Sequence, residues 1–215
     1  MSRGDPFLAH TGVAAPLLVP NVDTDAIVPS REMKHVSRRG LGQALFAGWR
    51  YHHEGARRLG PNADFVLNRP QYQGATILLG GDNFGCGSSR EQAVWSLVDF
   101  GIRVLVAPSF GAIFRGNCLR NGVLPVELKA ADVETLAAWV ALDPQVHRIT
   151  VDLQACELRG PPRFTRPFRI EPAARERLLA GRDEIDEALQ YVADFDAWQA
   201  RDRLVRPWLY RGDEP

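Results

Sequence analysis

Cysteine is scarce in this chain. Its 215 residues hold only Cys86, Cys118 and Cys156, an odd number without a Cys-x-x-Cys pair. That excludes a disulfide framework and offers no recognisable zinc or iron–sulfur signature. Net charge is missing too: 26 Lys plus Arg oppose 26 Asp plus Glu, so no global field draws in a polyanion, and nucleic-acid binding by bulk electrostatics is disfavoured. No run reaches the ~18 apolar residues that a membrane-spanning helix needs, and Met1-Ser2-Arg3-Gly4-Asp5-Pro6 leads into no apolar signal core. Lysine is almost absent, with Lys34 and Lys129 against 24 Arg, a chain-wide skew that a GC-rich genome explains without any site. Repeats and low-complexity tracts are lacking. These absences predict a soluble cytoplasmic protein that binds neither nucleic acid nor membrane and holds no metal of its own.

What is present is an ordinary globular composition, 45% hydrophobic, in a chain long enough to bury roughly 70 to 75% of its unfolded surface. Residues 7 to 19 read as an opening strand pair broken by Pro16, followed by the polar stretch Asn21-Val22-Asp23-Thr24-Asp25. From Arg31 to Arg58 seven Lys or Arg and three His face only Glu32 and Glu54. The middle of the chain is the most regular. Ala75 to Leu79, Arg103 to Ala107 and Val123 to Leu128 are short apolar runs bounded by turn residues, as buried strands are. Between them, Ala93, Val94, Leu97 and Val98 share one helical face, and Phe110, Ile113 and Phe114 share another that stops at Asn121-Gly122. The resulting βαβαβ order predicts an α/β fold with a mostly parallel sheet, flanking helices, and a ligand site beyond the C-terminal strand ends.

Val133, Leu136, Ala137 and Val140 predict a third amphipathic helix. Alternation in Ile149 to Leu153 and Phe164 to Ile170, around Gly160-Pro161-Pro162, predicts an antiparallel addition. Beyond Glu171 the chain reads as charged and helical, with Leu178, Ile185, Leu189 and Val192 as its apolar contacts. The whole of residues 1–215 is expected to be a single domain, with 172–215 as a C-terminal helical extension packed on it.

The chemistry concentrates in Gly81-Asp82-Asn83-Phe84-Gly85-Cys86-Gly87-Ser88-Ser89-Arg90-Glu91. Its glycines permit positive φ and close approach to a ligand, and the loop delivers its last residues to a helix N-terminus, where free N–H groups and Arg90 suit a carboxylate or phosphate. A Walker A loop requires a Lys after Gly87, and a dinucleotide fingerprint requires a glycine where Arg90 stands; both fail. Ser88 with Glu91, and Ser89 with Gln92, match capping-box spacing, so spacing assigns one hydroxyl to the N-cap and leaves the other open to function. Cys86 reads as a small residue packed in a tight loop. Spacing alone favours Asx turns for Asp23 and Asp25. The basic stretch from Arg31 suits either a solvated face or capture of a small polyanion.

Three ordered segments carry a resemblance: NVDTDAIVP, GDNFGCGSSREQAVWSL and APSFGAIFRGNCLRNGVLPV. Together they resemble the small subunits of bacterial 3-isopropylmalate dehydratases, relatives of the mobile C-terminal domain of aconitase, and the likeness runs over nearly the whole chain. The resemblance implies a swivelling β/β/α domain of that type. It implies a heterodimer or higher assembly with a large subunit that carries a [4Fe–4S] cluster, no cofactor being bound by this chain. It implies a hydro-lyase, inactive without its partner, that converts 2-isopropylmalate to 3-isopropylmalate in leucine biosynthesis. Carried over position by position, Ser88 falls at the catalytic serine, and Ser89 and Arg90, with Gly87, at positions that hold a substrate carboxylate. Asp23, Thr24 and Asp25 are candidate supporting residues.

The segment after the Asp-Thr-Asp motif lines the end of the pocket for the variable substrate group in this family. That assigns Arg31, Met33, Lys34 and Val36 to a specificity loop. Glu32-Met33 stands where the family usually has an aromatic–leucine pair, which leaves citraconate, dimethylmalate or another substituted malate as alternative substrates. Gln92-Ala93-Val94 replaces the common His-Ala-Pro; counted at N3, Gln92 still caps. A reading from another class, a non-catalytic anion- or RNA-binding module using the Arg31 to Arg58 patch, meets the neutral total charge and the lack of stacking motifs.

Overall fold

The computed structural model describes residues 5–33, 37, 39–55, 57–182 and 184–210. In chain order the first of its two compact units, which ends at Gly181, holds β1 (Ala9–Leu17), α1 (Thr24–Ile27), α2 (Ala47–Arg50), β2 (Tyr51–Glu54), β3 (Arg57–Pro61), β4 (Ala75–Gly80), α3 (Glu91–Phe100), β5 (Val104–Ala107), α4 (Ala112–Arg120), β6 (Leu124–Glu127), α5 (Ala130–Leu142), β7 (Ile149–Asp152), β8 (Glu157–Arg159), β9 (Thr165–Pro167) and α6 (Pro172–Ala180).

Seven strands make one sheet in the order β6-β5-β4-β1-β7-β8-β9, and β2 pairs with β3 as a separate hairpin. Strands β1, β4, β5 and β6 run parallel; β7, β8 and β9 extend the sheet antiparallel. The βαβαβ reading holds, because continuous apolar strands need cover on both faces: the intervening helices α3 and α4 supply it mainly on one, and α5, which follows β6, supplies it on the other. Along β1 the alternation divides the core: Val13, Ala15 and Leu17 join one buried cluster and Ala14 the other. Helix α3 closes the first face through Ala93, Val94 and Leu97, while α5 closes the second through Val133, Leu136 and Val140.

Two local expectations change. The opening strand pair is one strand, β1, which runs straight through Pro16. Proline is tolerated because β7 pairs only with Ala9 to Gly12, so the edge of β1 beside Pro16 carries no ladder on that side, and β4 pairs it on the other. The buried stripe of α4 is Phe114, Asn117 and Cys118, continued by Asn121, and Ile113 lies 57% exposed.

Helix α6 belongs to the first unit, with Leu178 in its core. The second unit, Arg182–Pro215, contains α7 (Glu184–Leu189), α8 (Val192–Val205) and a terminal 3₁₀ turn, Pro207–Tyr210. Within it Asp202 accepts from Arg206 Nε and Tyr210 Oη and ties the end of α8 to that turn. Ile185, Leu189 and Val192 are exposed. Among the described residues no helix is long and apolar enough to cross a membrane.

Candidate active site

Because β1, β4 and β5 are adjacent and parallel, the loops after their C-terminal ends meet. The glycine-rich loop after β4 lies in the middle and is stitched to both neighbours by main-chain bonds. Asn21 N–H donates to Asp82 O (2.8 Å), Gly85 N–H to Val22 O (2.7 Å) and Thr24 N–H to Cys86 O (3.0 Å) on one side. Phe84 N–H donates to Ser109 O (3.1 Å) and Gly111 N–H to Phe84 O (2.9 Å) on the other. The loop therefore continues the sheet pattern past the strand ends. Its conformation demands glycine at two points. Gly85 has φ +74° and a Cβ there would lie 2.2 Å from the Phe114 ring; Gly87 has φ +93°.

After Gly87 the chain emerges. Ser88 and Ser89 are exposed and Arg90 half-buried, at the start of α3. Arg90 itself is the N-cap residue and no side chain caps it, so the assignment of one serine to that task fails. The helix begins one residue later than capping-box spacing requires, and Gln92 falls at N2 rather than N3. Glu91 instead accepts from Asn121 Nδ2 (2.7 Å), which anchors the helix start to the end of α4. Among the described residues neither the Ser88 nor the Ser89 hydroxyl has a hydrogen-bond partner, which leaves both free for a ligand.

The Asp-Thr-Asp motif is brought against this turn. Asp23 does make the local turn that its spacing suggests, accepting from Ala26 N–H (2.7 Å) as N-cap of α1. Thr24 is 2% exposed and its hydroxyl donates to Ser88 O (3.3 Å). Asp25 does more than turn the chain: it forms a hydrogen-bonded ion pair with Arg90 and accepts from Ser30 Oγ (2.8 Å). Those two bonds, Arg90's first, hold its carboxyl below the usual aspartate range.

Arg31 and Met33 take a different position. Arg31 contacts His53 Nε2 (3.2 Å) and Glu32 (3.6 Å), and Glu32 pairs with Arg58 (3.0 Å), so the 3₁₀ turn Ser30–Glu32 is docked on the β2–β3 hairpin. Met33 packs against the core. Among the described residues no hydrogen bond or ion pair joins Arg31 or Met33 to residues 88–90; the connection runs through Ser30 and Asp25. Lys34 and Val36 lie outside the described residues. Much of the basic segment is spoken for, since Arg50 also donates to the carbonyls of Gly42 and Leu45.

A family model of the aconitase C-terminal domain matches residues 5–131. The chain belongs to that family. It is 54% identical over 206 residues to a 3-isopropylmalate dehydratase small subunit of Cupriavidus necator, covering 96% of this chain and 98% of the relative. A protein of the same name from Rhodospirillum centenum is 49% identical and covers 94% of this chain and 97% of its own. Among solved structures, a 3-isopropylmalate dehydratase of Methanocaldococcus jannaschii has a TM-score of 0.62 at 24% identity, over 91% of this chain and 99% of the other, which speaks for the aconitase-type fold.

The donor set of this chain does not fit the iron–sulfur cluster that the resemblance implies. Cys86, Cys118 and Cys156 are free and dispersed, and among the described residues no group of three or more His, Cys, Asp or Glu could hold a metal. Asn117 and Asn121 are the residues that sequence reasoning missed. Both are buried polar groups on the apolar stripe of α4, and that irregularity in the stripe was the available signal.

Proposed function

We propose that this chain is the small subunit of a 3-isopropylmalate dehydratase, a hydro-lyase subunit of leucine biosynthesis that acts with a large subunit. The iron–sulfur cluster belongs, on this reading, to that large subunit, and this chain's share is proton handling and carboxylate binding. The observation that carries the reading is the Ser88-Ser89-Arg90 turn. Among the described residues, two exposed hydroxyls without partners stand beside a guanidinium at the N-terminus of a ten-residue helix. 2-Isopropylmalate loses a hydroxyl from one carbon and a proton from its neighbour, as water, and regains them at exchanged positions. The proton is weakly acidic, and a serine takes it only where its alkoxide is stabilised. Unpaired N–H groups and Arg90 supply that stabilisation. Ser88 is thus assigned to move the proton, and Gly87, Ser89 and Arg90 to receive the substrate carboxylate. Asp25 supports Arg90, Asp23 shapes the loop through α1, and Thr24 holds the turn. Arg31 and Met33, with Lys34 and Val36, remain the proposed specificity loop. The cytoplasm is the expected compartment, and 1–215 is proposed to work as one swivelling domain with a C-terminal helical extension.

Co-expression with an iron–sulfur large subunit, anaerobic cluster reconstitution and a panel of 2-isopropylmalate, citraconate and dimethylmalate test the proposal. The expected result is turnover of 2-isopropylmalate by the complex, none by this chain alone, and none by a Ser88→Ala complex that still assembles on size-exclusion chromatography. Turnover by the isolated chain, or normal rates with Ser88→Ala, would overturn it. Preference for citraconate or dimethylmalate would keep the chemistry and replace the substrate.

A further inference from the structure

Two buried side chains from different elements act on the same exposed turn. Thr24, at the start of α1, donates its hydroxyl to Ser88 O (3.3 Å), and Asn117, in α4, donates its amide to Ser89 O (3.4 Å). Both residues are 2% exposed, while Ser88 and Ser89 face solvent. Two successive carbonyls are therefore drawn toward the protein interior.

A trans peptide is planar, with its C=O and N–H on opposite sides, and the chain has no cis peptide among the described residues. Turning the Ser88 carbonyl toward Thr24 turns the Ser89 N–H away from it. Turning the Ser89 carbonyl toward Asn117 does the same for the Arg90 N–H. Among the described residues neither N–H meets an acceptor. Thr24 is fixed independently by its own N–H on Cys86 O, and Asn117 lies within the buried stripe of α4, so neither side chain is free to follow the turn if it rotates.

We infer that Thr24 and Asn117 are positioning residues that clamp the Ser88–Ser89 carbonyls inward and so aim the Ser89 and Arg90 backbone N–H groups at the charge that develops on Ser88 and the substrate carboxylate. They touch neither substrate nor the reacting atoms. The inference rests on the Ser88 reading above. Donors aimed at developing charge act on kcat more than on KM, which separates positioning from simple binding or folding.

The experiment uses the complete two-subunit complex, with rates normalised to assembled complex by size-exclusion chromatography. Thr24→Val keeps the shape and removes the donor; Asn117→Leu does the same from the other side; Thr24→Ser restores the hydroxyl. Removing either donor is expected to lower kcat by about 10- to 100-fold with KM changed less than about threefold, and Thr24→Ser to recover most of the loss. If Thr24→Val does not assemble, Asn117→Leu and Thr24→Ser decide. Full kcat in either donor-less variant would overturn the clamp, as would a loss that Thr24→Ser shares equally with Thr24→Val. Ser88→Ala is run alongside: a dead Ser88→Ala with full-rate clamp variants refutes this inference alone, whereas an active Ser88→Ala refutes the catalytic reading beneath it.

Discussion

Asp25 and Arg90, 65 residues apart in the chain, form a hydrogen-bonded ion pair at the mouth of the candidate site. The pair ties the loop after β1 to the start of α3. Only one guanidinium nitrogen is engaged by Asp25, and a planar fork with further N–H groups remains for a carboxylate. Asp25→Ala should therefore raise KM for 2-isopropylmalate by up to about tenfold by releasing Arg90, an effect limited by solvent around a half-exposed pair. Steady-state kinetics of the complex checks this, and an unchanged KM would show that Arg90 orients without Asp25.

The same pair sets a pH dependence. Because Asp25 titrates below its ordinary range in the folded chain, its stabilisation is present above the unfolded aspartate pKa and is lost as pH falls through the depressed folded value. The Asp25 carboxyl signal in carbon-13 NMR should stay constant from about pH 5 to 9, and its midpoint should rise in Arg90→Ala. A midpoint unmoved by Arg90→Ala contradicts the pairing.

Gly85 is a packing constraint as well as a conformational one, since a Cβ there would meet the Phe114 ring at 2.2 Å with φ at +74°. Gly85→Ala should destabilise the chain by about 2 to 4 kcal/mol in urea denaturation. Gly60→Ala, where no atom lies within 4 Å of the added Cβ, should stay within about 0.5 kcal/mol.

The Glu32 side chain pairs with Arg58 on the β2–β3 hairpin. Glu32→Gln should cost less than about 1 kcal/mol, because the pair is partly exposed. It should leave the preference for 2-isopropylmalate over citraconate within about twofold. A larger swing toward citraconate would place Glu32 in the pocket.

Burial pushes the Cys118 thiol well up, whereas Cys86 and Cys156 are half-exposed. A thiol titration of the native chain should accordingly be unchanged by Cys118→Ser, and that cysteine should react only after denaturation. Loss of a native-state equivalent in the variant would show that the site is accessible.

Local pattern alone determined the βαβαβ centre, the antiparallel addition and the flanking helices. Apolar runs bounded by glycine, and stripes repeating at helical spacing, are properties of neighbouring residues and can be read along the chain. Glycines at 85 and 87 likewise announced a loop of unusual backbone, and the ordered motifs placed Ser88 and Arg90 in a family. Tertiary structure decided the rest. That Pro16 lies within a strand depends on where β7 stops; that neither serine caps α3 depends on how the loop is stitched to its two neighbours. The contacts of Thr24 with Ser88, Asp25 with Arg90 and Asn117 with Ser89 join segments 28 to 65 residues apart. They exist because parallel pairing sets the C-terminal ends of β1, β4 and β5 side by side, a consequence of sheet order that no local periodicity encodes.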